Sequence, residues 1–445
     1  MNNLYLCDKE KGQYSSYYNK KSMDKQILKQ ILRENQQEVE RYVVEPRDLR
    51  LEGFPCWVLV GVRRSGKSYM LYYYIQQMLA AGHKWDEMLY LNFEDERLEQ
   101  FGTEDFNLLL ECHQEMYGQR PMLFLDEIQN INNWHKFVRR MADAQYTIFI
   151  TGSNAKMLSG EMCTTLGGRF LIKEVYPYSF REFLSVQKIS SNEVNLLTTA
   201  ERANIVRQFT EYLHFGGLPA SALLPAKRDY LSSVYQKIYM GDIIARNKIT
   251  NVAGIRVLVR KMAESVCRPI SYNRLNNLLS SVGGKLSLAT TIKYVEYCEE
   301  AWLLLRLRNY ISSLSDKESN CKYYFIDNGI LGLFLMDKDT MLLENLVALH
   351  LFRTYGHDLD NERIFFYSDS YEVDFYIPED ELAIQVSYSL HDEETRKRET
   401  EALRKLPKRL PCSRRLILTF DEEETLSDSF GTIEVLPTWK WILSN

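Results

Sequence analysis

Gly61-Val62-Arg63-Arg64-Ser65-Gly66-Lys67-Ser68 follows five apolar residues, Cys56–Val60, and opens a stretch of helical periodicity, Lys67–Ala80. The octet fits G-x-x-x-x-G-K-[S/T], a turn whose backbone N–H groups cradle phosphates at a helix N-terminus. Gly61 and Gly66 permit the turn and the close approach that a Cβ would obstruct. Lys67 is expected to reach the β- and γ-phosphates, and the Ser68 hydroxyl to ligate Mg²⁺. The whole loop, Gly61, Val62, Arg63, Arg64, Ser65, Gly66, Lys67 and Ser68, is therefore the expected binding site for ATP with Mg²⁺.

A second apolar run, Met122-Leu123-Phe124-Leu125, ends in Asp126-Glu127 about 60 residues later. Asp126 is placed to hold the magnesium through water, and Glu127 to activate the attacking water. A third run, 146–150, ends in Thr151-Gly152-Ser153-Asn154. A polar side chain there, Asn154, is expected beside the γ-phosphate; the same residues also suit a plain turn and helix cap.

These runs belong to a longer alternation. Strands are expected at Cys56–Val60, 88–93, 122–125, 147–151 and 170–175, with helices at Lys67–Ala80, 104–117 and 133–143. Such alternation predicts an α/β domain on a mainly parallel sheet over residues 51–185. Residues 1–50 are polar, with one helix near 23–37 whose stripe of Ile27, Leu28, Ile31 and Leu32 should dock on that domain. Residues 186–310 read as helical, broken at Gly216-Gly217-Leu218-Pro219 and Gly283-Gly284. From 311 to 445 strands return at 323–326, 364–367, 373–377, Leu382–Val386 and 415–419, with helices at 340–355 and 392–406.

The 445 residues are 45% apolar and 26% charged, with 20 Phe, 29 Tyr and 6 Trp, which excludes a wholly disordered chain. Lys plus Arg number 55 against 60 Asp plus Glu, a net charge of −5 that excludes a uniformly basic nucleic-acid coat. No run approaches the roughly 18 apolar residues of a membrane helix. The first residues carry Asp8, Lys9, Glu10 and Lys11 without an apolar core, so no secretory leader is expected. The 8 Cys are dispersed without a CxxC pair, arguing against a zinc cluster or a disulfide scaffold. A cytoplasmic protein is expected, with no membrane partner.

Phe124-Leu125-Asp126-Glu127-Ile128-Gln129 resembles the AAA-type ATPase domain widespread in uncharacterised bacterial and archaeal ATPases. So do Thr151-Gly152-Ser153-Asn154, Leu166-Gly167-Gly168-Arg169 and Pro177-Tyr178-Ser179-Phe180-Arg181-Glu182-Phe183. Gly216-Gly217-Leu218-Pro219, Glu344-Asn345 and Glu372-Val373-Asp374-Phe375 resemble the C-terminal domain of unknown function that accompanies it. The resemblance spans about residues 25 to 440. It implies an AAA+-like fold, ATP and magnesium binding, and hydrolysis. By motif it also makes Arg169 an arginine finger, acting in cis or from a neighbouring subunit, unless Arg169 is only a structural ion pair.

The middle segment, with helices at 271–279 and 287–300 around a glycine turn and an apolar run at 301–307, resembles a winged helix-turn-helix. Residues 256–308 hold nine Lys/Arg against four Glu, and 396–415 nine against two. Both stretches are expected either to meet DNA phosphates or to be solvated surface. Glu344, Asp374 and the strand Leu382–Val386 followed by Ser387 are spaced like a metal-dependent nuclease, E…D…(D/E)-x-K. The second acid and the lysine are here Gln385 and Ser387, so an inactive, restriction-endonuclease-like domain is expected. The chain thus reads as a regulatory or DNA-associated ATPase, alone, as a homo-oligomer or with a protein partner. The alternatives are an ATP-gated nuclease and a nucleotide-binding scaffold with little turnover.

Overall fold

Strands buried on both faces read as unbroken apolar runs, and two of the five strands in the first sheet are buried throughout. These are β1 (Cys56–Val60), β2 (Met88–Asn92), β3 (Met122–Asp126), β4 (Ile148–Gly152) and β5 (Leu171–Glu174). They align in the order β2-β3-β4-β1-β5, all parallel. Helices α2 (Lys67–Ala80), α3 (Asp105–Tyr117) and α4 (Trp134–Asp143) cover the sheet, and Phe106 stacks on Phe137 at 4.2 Å. The lead-in helix α1 (Lys25–Arg41) is capped by Asp24 and packs on β2, α2 and α3. It buries Leu28, Ile31, Leu32 and Val39, whereas Ile27, expected in the stripe, is 43% exposed. The computed structural model describes residues 23–48, 50–153, 166–191, 198–283, 286–311, 320–335, 338–356 and 363–444.

The chain leaves this domain through α5 (Phe180–Val186) and α6 (Thr199–Phe215), each opened by a reciprocal capping box, Ser179 with Glu182 and Thr198 with Glu201. Gly216 and Gly217 then make a close junction. A Cβ on Gly216 would lie 2.3 Å from the Asp327 carboxylate, and one on Gly217 2.2 Å from the Tyr178 carbonyl oxygen. Gly217 N–H donates to Asp327 at 2.8 Å, and Tyr178 N–H to Gly217 O at 2.6 Å. Helix α7 (Lys227–Lys237) runs on into a π-helical turn, Ile238–Ala245, and α8 (Val252–Glu264), α9 (Tyr272–Gly283) and α10 (Leu288–Glu300) follow.

A second sheet has nine strands in the order β13-β14-β12-β11-β10-β9-β7-β8-β6. They are β6 (Ile270–Ser271), β7 (Leu304–Asn309), β8 (Asn320–Phe325), β9 (Phe365–Ser368), β10 (Glu372–Ile377), β11 (Leu382–Val386), β12 (Arg414–Thr419), β13 (Glu424–Asp428) and β14 (Gly431–Pro437). Helices α11 (Asp339–Tyr355) and α12 (Glu393–Lys405) pack on it, and α13 (Thr438–Ser444) closes the chain against α5. The boundary expected at 310 falls inside this sheet, because β7 pairs in parallel with β9 and antiparallel with β8. The β13–β14 hairpin was not expected, since its strands are polar and alternately exposed. Arg181 donates to Leu443 O and Arg353 to Pro177 O, so the C-terminal sheet is tied to the first domain. No helix among the described residues is long and apolar enough to cross a membrane.

Candidate functional site

In an open parallel sheet, ligands bind beyond the carboxyl ends of the strands where the strand order reverses. Here β1 ends in the glycine-rich loop, and β3 and β4 end beside it in Asp126-Glu127 and Thr151. Gly61 packs so closely that a Cβ would meet Val175 O at 2.3 Å. Arg64 adopts a left-handed backbone (φ 68°), and Gly66, also left-handed (φ 99°), opens α2. Ser65 Oγ is buried in the loop with no protein partner, a hydroxyl that suits an oxygen-rich ligand. Lys67 Nζ donates to Gly61 O and Val62 O at 3.1 Å each and lies 3.7 Å from Glu127. Burial draws its pKa down, opposed by the Glu127 and Asp126 carboxylates.

Asp126 is fully buried and accepts from Thr151 Oγ1 and from Tyr90 OH at 3.0 Å, and the nearby Ser68 hydroxyl also favours its charged form. Burial and then the neighbouring Glu127 charge push its pKa up to about 6. Ser68 and Asp126 thus bring hard oxygens together, the donor set Mg²⁺ requires. Glu127 has a left-handed backbone (φ 51°), uncommon for a residue with a side chain and a mark of a constrained site. Its N–H donates to Thr151 Oγ1 at 2.8 Å, and its carboxylate accepts from Gln129. Lys67, Ser68, Asp126 and Glu127 are therefore brought together as the spacing predicted.

Other expected residues are placed elsewhere. Asn154 lies outside the described residues. Arg169 pairs with Asp143 at the end of α4 and donates to Gly167 O, so its described contacts do not include the loop. Four contributors escaped sequence reasoning: Tyr90, Gln129, Arg47 and Asp242. Arg47 braces the loop, donating to Ser65 O at 3.0 Å, to Tyr176 O at 2.9 Å and to Glu182 at 2.6 Å. Burial alone would raise the Glu182 pKa, but Arg47 holds it below the usual value. Asp242 grips Arg63 in a two-pronged ion pair. Only Gln129 carried a signal, being part of the quoted Asp126-Glu127 segment.

The C-terminal centre differs from expectation in one respect. Glu372 and Asp374, two residues apart on a strand, share a face of β10. The positive charge judged absent at Ser387 is supplied by Lys322 of β8, which is 0% exposed. Its ammonium lies 2.9 Å from Glu372, 3.1 Å from Asp374 and 3.3 Å from Glu344. Tyr324 also donates to Glu344 at 2.8 Å, and burial followed by the Asp374 charge pushes Glu344 up to about 8 against the pull of Lys322. Gln385 accepts from Asp374 N at 2.7 Å and donates to Glu399 at 2.6 Å, while Arg398 pairs with Glu399. A cavity of about 540 Å³ opens beside these groups.

Several basic residues of the two stretches are held in ion pairs. Arg306 pairs with Glu299 and Lys261 with Glu264. In the second stretch Arg396 pairs with Glu424, Lys405 with Glu401, and the buried Arg415 with Asp428.

A parallel sheet ending in a phosphate loop, an Asp-Glu pair and a bridging threonine defines a P-loop domain of the AAA type. Residues 54–184 match the AAA domain family, and residues 206–340 match a domain of unknown function, DUF8612. The chain belongs to the same family as uncharacterized protein MJ1544 of Methanocaldococcus jannaschii. The two are 35% identical over 437 residues, 95% of this chain and 96% of that one. An uncharacterized protein of Haemophilus influenzae is 30% identical over 343 residues, 75% of this chain and 82% of that one. Among solved structures, the Aeropyrum pernix ORC1 protein in complex with DNA is similar at a TM-score of 0.31 and 13% identity, covering 75% of this chain and 96% of that one. AMPPCP-bound DnaA from Aquifex aeolicus is similar at 0.24 and 15%, covering 60% and 85%. Neither structural likeness is close enough to bear on function.

Proposed function

We propose that residues 61–68 bind ATP with Mg²⁺ and that the protein hydrolyses it slowly, as a regulatory or DNA-associated switch. The observation that carries this reading is the convergence of Lys67, Ser68, Asp126 and Glu127 at the ends of β1 and β3. The loop N–H groups and Lys67 hold the phosphates, while Ser68 and Asp126 hold the metal, which draws charge from the phosphate oxygens when bound. Glu127 takes a proton from water, whose oxygen attacks the γ-phosphorus as the bond to the bridging oxygen breaks. Arg169, tied to Asp143, is assigned a structural role within one chain.

The element order α8-β6-α9-α10-β7-β8 supports the winged-helix reading of the middle segment. The order α11, a β9-β10-β11 meander, α12 and a parallel β12 supports a nuclease-like fold for the end. We assign that end no cleavage: Gln385 stands where a second acid is needed, and the one ammonium present, Lys322, is held by Glu344, Glu372 and Asp374 together. A cytoplasmic location accords with both assignments.

Lys67→Ala should abolish ATP binding, since the loop then lacks the cation aimed between the phosphates. Glu127→Gln should retain binding and lose turnover by two or more orders of magnitude, because it removes the base and spares the metal site. Equal phosphate release by wild type and Glu127→Gln refutes the assignment of the base.

A further inference from the structure

Arg63, the third residue of the phosphate loop, is not directed to solvent. Its Nε and Nη2 donate to the two oxygens of Asp242 at 2.9 and 3.0 Å, and its Nη1 to Glu94 at 2.7 Å. The Asp242 side chain is 3% exposed and belongs to the π-helical turn Ile238–Ala245, 179 residues further along the chain. Its field reaches Lys67 as well. A second guanidinium, Arg246, donates to the same carboxylate at 3.0 Å. The parallel donors of a guanidinium match a carboxylate and a phosphate with the same geometry. A carboxylate therefore holds the fork of an arginine that the loop otherwise presents to phosphate. π-helical segments are rare and are found frequently at functional sites, which singles out Ile238–Ala245.

We propose that Asp242 is an internal competitor of the nucleotide: the terminal phosphate of a nucleoside triphosphate takes the Arg63 fork and releases the turn Ile238–Ala245. This rests on the assignment of the loop as an ATP site. Release frees the joint between α7 and α8, and so carries the state of the loop into the middle segment. Arg246 keeps Asp242 neutralised after the exchange, so no buried charge is stranded. A diphosphate lacks the γ-phosphate that would take Arg63 and leaves the turn closed.

Two measurements test this on the full chain. In the unmodified protein, hydrogen exchange at residues 238–249 should quicken with a non-hydrolysable ATP analogue and stay unchanged with ADP. Asp242→Asn, nearly isosteric, should tighten ATP binding about tenfold, because a charged competitor becomes a neutral one, and change ADP affinity far less. Combined with Arg63→Gln, the same substitution should no longer alter ATP affinity. Exchange that slows or does not change with the analogue overturns the latch, as does an Asp242→Asn effect of equal size with and without Arg63→Gln. In either case ATP still binds, and the nucleotide assignment stands. Absence of ATP binding by the folded wild type overturns both.

Discussion

Replacing Lys322 by Met removes the one cation shared by Glu344, Glu372 and Asp374, all within 3.3 Å of its ammonium. Methionine fills much the same volume, so the cost is electrostatic rather than a cavity. Stripping one partner from a buried ion pair costs about 3–5 kcal/mol. The cost should depend on pH, because the stranded carboxylates can escape by taking protons. Glu344 already titrates at about 8 in the folded state against 4.5 for the unconstrained side chain. A raised carboxyl pKa favours the folded state below 4.5, and that advantage is lost as pH rises toward 8. Without Lys322 to oppose it, Glu344 titrates higher still, so at pH 5.5 the loss should shrink to the missing hydrogen bonds, about 1–2 kcal/mol. Urea unfolding followed by tryptophan fluorescence at pH 5.5 and 8.5 measures both values, and Glu344→Gln in the Lys322→Met background should recover part of the loss at pH 8.5. An equal loss at the two pH values, or none at either, would refute this account of the centre.

Gly217→Ala pushes a Cβ to 2.2 Å from Tyr178 O, a backbone atom that cannot swing away, and should destabilise by roughly 1–3 kcal/mol in thermal unfolding; an unchanged midpoint would mean that the junction is loose. Purified protein incubated with single- and double-stranded DNA or RNA, Mg²⁺ or Mn²⁺, and ATP should cut nothing, whereas cleavage that vanishes in Asp374→Ala overturns the inactive assignment. With part of the basic charge in 256–308 and 396–415 held in ion pairs, any DNA binding should be weak, indifferent to sequence and weakened by salt. Binding that ignores salt would return both stretches to ordinary surface.

The phosphate loop and the Asp126-Glu127 pair were legible because each lies within a few residues of sequence, and because a parallel sheet demands apolar strands that end there. Strands β1 and β11 fall where the pattern places them, being buried on both faces. Lys322 was not legible, since its partners Glu344 and Asp374 are 22 and 52 residues away and join it only through the register of β8 and β10. Asp242 sits in an apolar helical stretch whose period gives no hint that its carboxylate meets Arg63. The β13–β14 hairpin was missed because an edge strand such as Glu424–Asp428 carries polar residues on both faces. Arg415 and Arg306 looked like surface charge in a composition count, and only folding shows that each is spent on a nearby acid.

The parallel pairing of β7 with β9 also governs how the chain can be divided. A fragment beginning near 311 would lose β7 and uncover the backbone of β9, leaving Phe365, Phe366 and Tyr367 on an unprotected margin. Such margins recruit strands from other molecules, so that fragment should precipitate or form mixed oligomers. The complementary piece ending near 310 would keep β7 but forfeit β8, and with it the hairpin that shields Leu304 and Leu305.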